Sequence, residues 1–252
     1  MTSDSDASWQ AIGNSDPYFG VLSDPKFHRA ALNDEAANEF FASGEQHAAQ
    51  MLAFIEPHAP DGFALGSALD FGCGVGRVAI PLARHFDTVT GIDVSTAMLD
   101  EAARNAQKRN VANLRLLSAI PHHETAQFDF IHSFIVFQHI PPSRGIELAM
   151  QALCLLAQSG VAVLHFTFAR TTSAGHWRRL ARHLPFSSGI YNVVNGRPFN
   201  YPRIDMHCYD LNKLFRRLHA GGFRIKASEM VVHGDSLGVI LAITASAATR
   251  SA

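Results

Sequence analysis

The residues best suited to chemistry in this chain are a carboxylate followed by alternating glycines, and a second carboxylate about twenty residues further on. The run Ala68-Leu69-Asp70-Phe71-Gly72-Cys73-Gly74-Val75-Gly76-Arg77 takes an apolar strand into Asp70 and spaces its glycines at alternate positions before a helix. Without a Cβ, such glycines let the backbone turn sharply and lie close against a ligand. A second strand-like run, Val89-Thr90-Gly91-Ile92-Asp93, ends in an acid. In α/β nucleotide folds an acid at that distance accepts hydrogen bonds from both ribose hydroxyls. The two runs point to an adenosine-containing ligand. The plainer alternatives are a glycine turn with no ligand and an Asp93 that only caps the next helix.

Two ligands compete for this loop. Gly74, Gly76 and Ala79 fit the dinucleotide register G-x-G-x-x-G/A, which keeps a nicotinamide dinucleotide open. Asp70 argues the other way, because a carboxylate beside the turn repels an arriving pyrophosphate. It suits S-adenosylmethionine, which carries a sulfonium and an ammonium and no phosphate; Asp70 would hold that ammonium. Val94 and Met98 stand where an adenine can be flanked. Histidine supplies candidate bases. Of the 14 in the chain, His139 follows the fourth strand and His165 lies late in the fifth, and both strand ends border the cleft of an open α/β sheet. The alternative for His139 is a buried ring bonded to a loop carbonyl. His122-His123 has no third ligand nearby in sequence, so no metal site is expected.

The elements that position these residues alternate. Strands ending near Asp70 and Asp93, at Leu114–Leu117, Phe128–Ser133 and Val161–Phe168, are separated by helices from about Gly76 to His85, from Ser95 or Thr96 to about Arg109, and from Pro141-Pro142-Ser143 to Gln158. That alternation predicts a doubly wound, Rossmann-like, mostly parallel sheet. Asp210 caps a further helix through His219, and Phe223–His233 with Leu237–Ala245 reads as a closing hairpin. Ahead of the sheet, residues 1–15 are polar and without period and are expected to be disordered, and 16–62 hold a helical cover centred on Asp34–Ile55. The sheet domain spans 63–252, with an arginine-, glycine- and proline-rich insert at 170–208 after strand five. An insert of that length is a lid over an anionic or polyhydroxylated substrate, or a solvated helix face.

With 252 residues and 47% apolar content, the chain can build one sizeable core. A net charge of −1 gives no global attraction to nucleic acid or to an anionic membrane. The three cysteines are odd in number and lack CxxC spacing, as expected for reduced thiols. A polar, acidic start and no apolar run long enough to span a bilayer lead to the expectation of a cytoplasmic protein, a monomer or homodimer with a small-molecule partner.

Asp70–Gly76, Asp93 and Phe128-Asp129-Phe130 together resemble the class I S-adenosylmethionine-dependent methyltransferases over residues 63–245. Asp16-Pro17-Tyr18-Phe19-Gly20, Phe40-Phe41-Ala42-Ser43-Gly44-Glu45, Val136-Phe137-Gln138-His139-Ile140-Pro141 and His207-Cys208-Tyr209-Asp210-Leu211-Asn212 resemble a bacterial branch acting on small molecules or sugars. The resemblance implies a seven-stranded sheet with an antiparallel last strand, S-adenosylmethionine as cofactor, and methyl transfer, most simply to a hydroxyl. It implies cofactor contacts by Asp70, Gly72, Gly74, Gly76, Arg77, Asp93, Val94, Met98, Ser118, Ala119 and Ile120. Substrate contacts are implied for Tyr18, Phe19, Phe41, Arg170, Arg178 and Tyr209, with His139 or His165 as the base. Many relatives carry an acid after the third strand; here Ser118-Ala119-Ile120 stands instead, and Ile120 offers the adenine an apolar contact. A nicotinamide oxidoreductase, an N-methyltransferase and a non-catalytic cofactor-binding module are the alternatives.

Overall fold

A computed structural model describes residues 4–122, 127–171 and 205–246. Its centre is a seven-stranded sheet in the order β3-β2-β1-β4-β5-β7-β6. The strands are β1 (Ser67–Phe71), β2 (Thr88–Ile92), β3 (Leu114–Leu117), β4 (Phe128–Ser133), β5 (Leu156–Arg170), β6 (Phe223–His233) and β7 (Ser236–Ala245). The first five run parallel, and β7 pairs antiparallel with both β5 and β6. β1 lies between β2 and β4, and the chain leaves it to opposite sides, first toward β2 and later toward β4. That reversal opens a crevice at the carboxyl ends of β1, β2 and β4, where open α/β sheets bind ligands.

The helices are α1 (Asp4–Ser15), α2 (Pro17–Val21), α3 (Asp34–Ile55), α4 (Ala79–Leu82), α5 (Thr96–Lys108), α6 (Pro142–Leu153) and α7 (Leu211–Ala220). The side chains of Asn33, Ser95 and Asp210 accept hydrogen bonds from first-turn amides of α3, α5 and α7. Both faces of the sheet are covered. Leu69, Ile131, Phe137, Leu164 and Phe166 form one apolar cluster with α6 and α7, and Ala68, Phe130, Val163 and Ala242 form another with α3.

Three boundaries differ from the sequence expectation. Residues 4–15 form α1 rather than a disordered arm, because tertiary contacts supply what the local composition lacks. Ile12 is fully buried, Gly13 backs onto Ser95 and Met98, and Gln10 Oε1 accepts the Thr96 amide at 2.9 Å. The helix after the glycine run shrinks to α4, with Pro81 inside it and a turn through the preceding residues. α6 stops at Leu153, and β5 begins at Leu156 instead of Val161. The insert expected over 170–208 is described only at 170–171 and 205–208, so the lid reading and Arg178 lie outside the described residues.

Gly44 fixes how α3 meets the glycine loop. A Cβ there would overlap the carbonyl oxygen of Arg77, a backbone atom that cannot step aside. Gly44→Ala should therefore destabilise the protein by about 1–3 kcal/mol despite the better helix propensity of alanine. A urea titration checks it; an unchanged midpoint would show that α3 is free to shift.

Candidate active site

The strand ends of β1, β2 and β4, together with α1 and α3, enclose a cavity of about 750 Å³. Its floor is the glycine loop. Gly72, Gly74 and Gly76 all adopt left-handed backbone angles, with φ of 79°, 53° and 87°, where a side chain is strained. The amides of Gly72 and Cys73 both donate to the Ile92 carbonyl oxygen, at 2.7 and 2.9 Å, which folds the loop onto β2. Gly72 and Gly74 line the cavity; Gly76 turns away from it and packs on Ile80.

Asp93 holds this loop in shape. Its Oδ2 accepts the Gly74 amide at 2.9 Å and its Oδ1 accepts the Ser95 amide at 2.9 Å. Burial pushes its carboxyl up to about 6, the two backbone hydrogen bonds oppose that, and the Asp70 charge adds to it. A carboxylate has about four lone-pair sites, so the two amides leave room for the ribose hydroxyls. The cap of α5 is Ser95 rather than Asp93, and Asp93 holds the amide of that capping residue while it lines the cavity. Val94, Met98, Ser118, Ala119 and Ile120 share the cavity wall with Asp93, and Arg77 faces in from the loop.

Asp70 differs from its expected role. Only 3% exposed, it does not line the cavity; its Oδ1 accepts Nδ1–H of His132 at 2.7 Å. His132 Nε2 lies 3.0 Å from Nε2 of His47 on α3, and His47 does line the cavity. The sequence reading missed both histidines. A signal was present: His47 shares the buried face of α3 with Phe40, Gly44, Ala48 and Met51, and His132 interrupts the apolar strand β4.

The expected bases fare differently. His139 lines the cavity beside Trp9, whose ring meets it edge-on at 5.0 Å. Both its nitrogens are engaged, Nδ1–H donating to the Asp205 carbonyl at 3.3 Å and Nε2 accepting from the Gln138 amide at 3.1 Å. Burial brings it down to about 4. His165 is fully buried, packs on Phe134 and His233, does not line the cavity, and among the described residues has no hydrogen-bond partner on either nitrogen. Its place in the middle of the β5–β7 pairing, opposite Ile240, puts it beneath Phe134 rather than at the cleft.

The expected substrate residues are mostly drawn into the core. The Tyr18 hydroxyl donates toward Glu101 and Asn105, Phe19 stacks on His28, and Phe41 lies under the Arg109 guanidinium. Tyr209 is buried, with its hydroxyl reaching the carbonyls of Phe137 and Ile140 at 2.9 Å each. Arg170 pairs with Asp235 at 3.6 Å, and none of these five residues lines the cavity. The polar side chains that do line it come from elsewhere, Ser43, Gln46 and Gln50 from α3 and Gln151 from α6. Ile135, just past β4, also lines it with φ at 59°. That is a strained conformation for a β-branched residue, of the kind that gathers at functional sites.

Residues 68–160 match the family model described as a methyltransferase domain. Over those residues the chain is similar to a methyltransferase domain, and its sheet has the class I methyltransferase fold. The match spans β1 through the start of β5, so it includes the glycine loop, Asp93 and His132. The chain is similar to a ubiquinone biosynthesis O-methyltransferase of Acinetobacter baylyi, 32% identical over 106 residues, covering 40% of this chain and 44% of that one. A 23S rRNA (uracil(1939)-C(5))-methyltransferase of Pseudomonas putida is 40% identical over 70 residues, covering 28% of this chain and 14% of that one. The chain spans less than half the length of the curated relatives it matches here. Among solved structures, magnesium protoporphyrin IX methyltransferase from Synechocystis aligns with a TM-score of 0.64 at 19% identity, covering 96% of this chain and 100% of that one. The mitomycin 7-O-methyltransferase structure aligns with a TM-score of 0.56 at 14% identity, covering 95% and 61%.

Neutral buried histidines make the fold acid-sensitive. Burial lowers His47 to about 2, His165 to about 3 and His139 to about 4, from an ordinary value of about 6.5. Between those values the unfolded chain binds more protons, so stability is complete above about pH 6.5 and falls as the pH drops toward 4. Asp93, raised to about 6, contributes in the opposite sense but is one group against three. Thermal unfolding should give a lower melting temperature at pH 5 than at pH 7. His165→Leu, which removes two unpartnered nitrogens, should flatten that slope and stabilise the protein by about 1 kcal/mol. A destabilised variant would mean that His165 has a partner.

Proposed function

We propose that this protein binds S-adenosylmethionine in the cavity above the glycine loop and methylates a hydroxyl group of a small molecule. The observation that carries the proposal is the shape and chemistry of that loop. A Cβ on Gly72 would overlap Val136, so the cradle tolerates nothing larger, and Asp93 presents a carboxylate beside it. The Gly72 and Gly74 backbone would lie along the amino-acid tail. Asp93 would accept the ribose hydroxyls, and Val94, Met98 and Ile120 would enclose the adenine. Nothing in this donor set suits a pyrophosphate, because α4 is too short to present an anion site and two carboxylates flank the loop. When bound, the cofactor supplies a methyl group made electrophilic by positive sulfur.

The protein's own contribution is alignment and proton removal. α1 closes the cavity from above: Asp6 forks to the Arg144 guanidinium at 2.7 and 3.0 Å, and the Ser5 hydroxyl donates to the His139 carbonyl at 2.8 Å. Closure keeps water from competing with the acceptor. Apolar walls from Trp9, Phe71, Phe134 and Leu148 suit a flat organic acceptor better than a nucleic acid, for which the net charge of −1 offers no attraction. The O-methyltransferases among the relatives and structural neighbours support oxygen as the methylated atom. Among the described residues no helix is long and apolar enough to cross a membrane. A cytoplasmic monomer or homodimer is the simplest setting.

Calorimetry should show S-adenosylhomocysteine binding at micromolar levels and no heat with NAD or NADP; the reverse would replace the methyltransferase reading by an oxidoreductase one. Asp93→Ala should cost about 1.5–3 kcal/mol of that affinity, the range for hydrogen bonds to a charged group. Because the same carboxylate clamps Gly74, the variant should also melt at a lower temperature.

A further inference from the structure

We infer that Asp70, His132 and His47 form a proton relay, in which His47 takes the proton of the acceptor hydroxyl and His132 keeps it beside Asp70. The inference rests on the proposed methyl transfer to oxygen and names the groups that make it possible. Asp70 on β1 and His132 on β4 are register partners in the sheet, so their side chains are adjacent by construction. All three groups are buried, Asp70 at 3%, His132 at 1% and His47 at 8% exposure. Only His47 reaches the cavity.

The hydrogen bonds fix the direction of travel. The Asp70 carboxylate accepts, so His132 carries its proton on Nδ1, and Nε2 of His132 is left as an acceptor. The 3.0 Å contact then requires His47 to donate from Nε2, leaving the lone pair of its Nδ1 as a base. A substrate hydroxyl gives its proton to His47 Nδ1 as the Nε2 proton moves to His132. The oxygen keeps the electron pair that forms the new O–C bond. The positive charge comes to rest on His132, in contact with a buried carboxylate. After product leaves, the proton returns by the same route to His47 and to solvent.

The surroundings of His47 explain why the charge moves on. Facing it are Arg77 from the glycine loop, His132 from β4, His165 from β5 and His233 from β6. Burial and these neighbours all disfavour a cation on His47, whereas His132 has Asp70. Arg77 lines the same cavity and its positive charge favours the developing oxyanion. His47 is thus a catalytic residue, and His132 and Asp70 are positioning residues that set its tautomer and hold the proton.

Two measurements on the S-adenosylhomocysteine-loaded protein test the relay. Nitrogen-15 spectra of labelled histidines should show His132 protonated at Nδ1 and His47 at Nε2; the opposite tautomer on either ring overturns the relay without any variant. 4-Nitrocatechol, whose anion is coloured, serves as the acceptor probe. Bound to the wild-type protein it should ionise about one pH unit or more below the free compound. His47→Ala and Asp70→Asn should each return that ionisation to the free value, while S-adenosylhomocysteine affinity stays within about threefold for His47→Ala. A merely structural Asp70 would change the melting temperature and leave the probe's ionisation shifted. No shift in the wild type, or a shift that survives in His47→Ala, sinks the relay. Absence of S-adenosylhomocysteine binding would instead sink the methyltransferase reading, and the tautomers would still report on the relay.

Discussion

Two carboxylates buried side by side at the strand ends set the terms for everything around them. Asp70 lies near the end of β1 and Asp93 follows β2, and the Asp70 charge adds to the upward push that burial exerts on Asp93. A buried carboxylate is tolerated only when its oxygens are hydrogen-bonded. Asp93 meets that demand with the Gly74 and Ser95 amides, which fixes the glycine loop and starts α5. Asp70 meets it with His132, and His132 then needs a partner of its own on Nε2. His47 answers that need and pins α3 over the cavity. The ligand floor and its cover are therefore built by the same electrostatic requirement, met twice.

Close approach is the second condition. α3 reaches His132 only because Gly44 lets its backbone rest against the Arg77 carbonyl, with Ser43 accepting from the Arg77 guanidinium at 3.4 Å. The helix and the loop thus share one contact region, so a change in either is transmitted to both. α1 adds a lighter closure. Its ties to the rest of the cavity wall are the Asp6–Arg144 fork and the Ser5 hydroxyl, and its apolar anchor is Ile12. Half-exposed ion pairs contribute little stability, which suits an element that must open for ligands to enter.

The sheet was legible because its signals are local. Alternating glycines, Asp93 and the hydrophobic periods each lie within one strand or one turn, and the order of elements follows from them. Ser95 and Asp210 cap their helices for the same local reason. The residues that complete the site are not local. His132 and Asp70 are 62 positions apart, and His47 and His132 are 85 apart. No spacing rule joins them. Position along a strand also misled where the facing side mattered: His165 lies at the right depth in β5 but under Phe134. Tyr18 and Tyr209 carried hydroxyls that a sequence cannot assign, and folding spends them on Glu101, Asn105 and backbone carbonyls.

The charge state of the cavity follows from this packing. Burial lowers His47, His139, His165 and His233 alike, so the imidazoles around the cavity are neutral at pH 7. A cationic ring there would repel a positively charged cofactor tail across a few ångströms of low-dielectric space. Neutral rings with lone pairs can instead take a proton for an instant and give it up. The carboxylates supply the negative charge that such a tail requires, Asp70 buried under the loop and Asp93 in the cavity wall beside it. Arg144 is paired with Asp6, and Arg77 lies between the loop and α3, where Asp70 favours its charge. Charge is thus separated: carboxylates at the glycine loop, neutral imidazoles elsewhere around the cavity, and a guanidinium between them. A fold arranged this way favours a cationic methyl donor beside the carboxylates, which is the electrostatic order that S-adenosylmethionine requires.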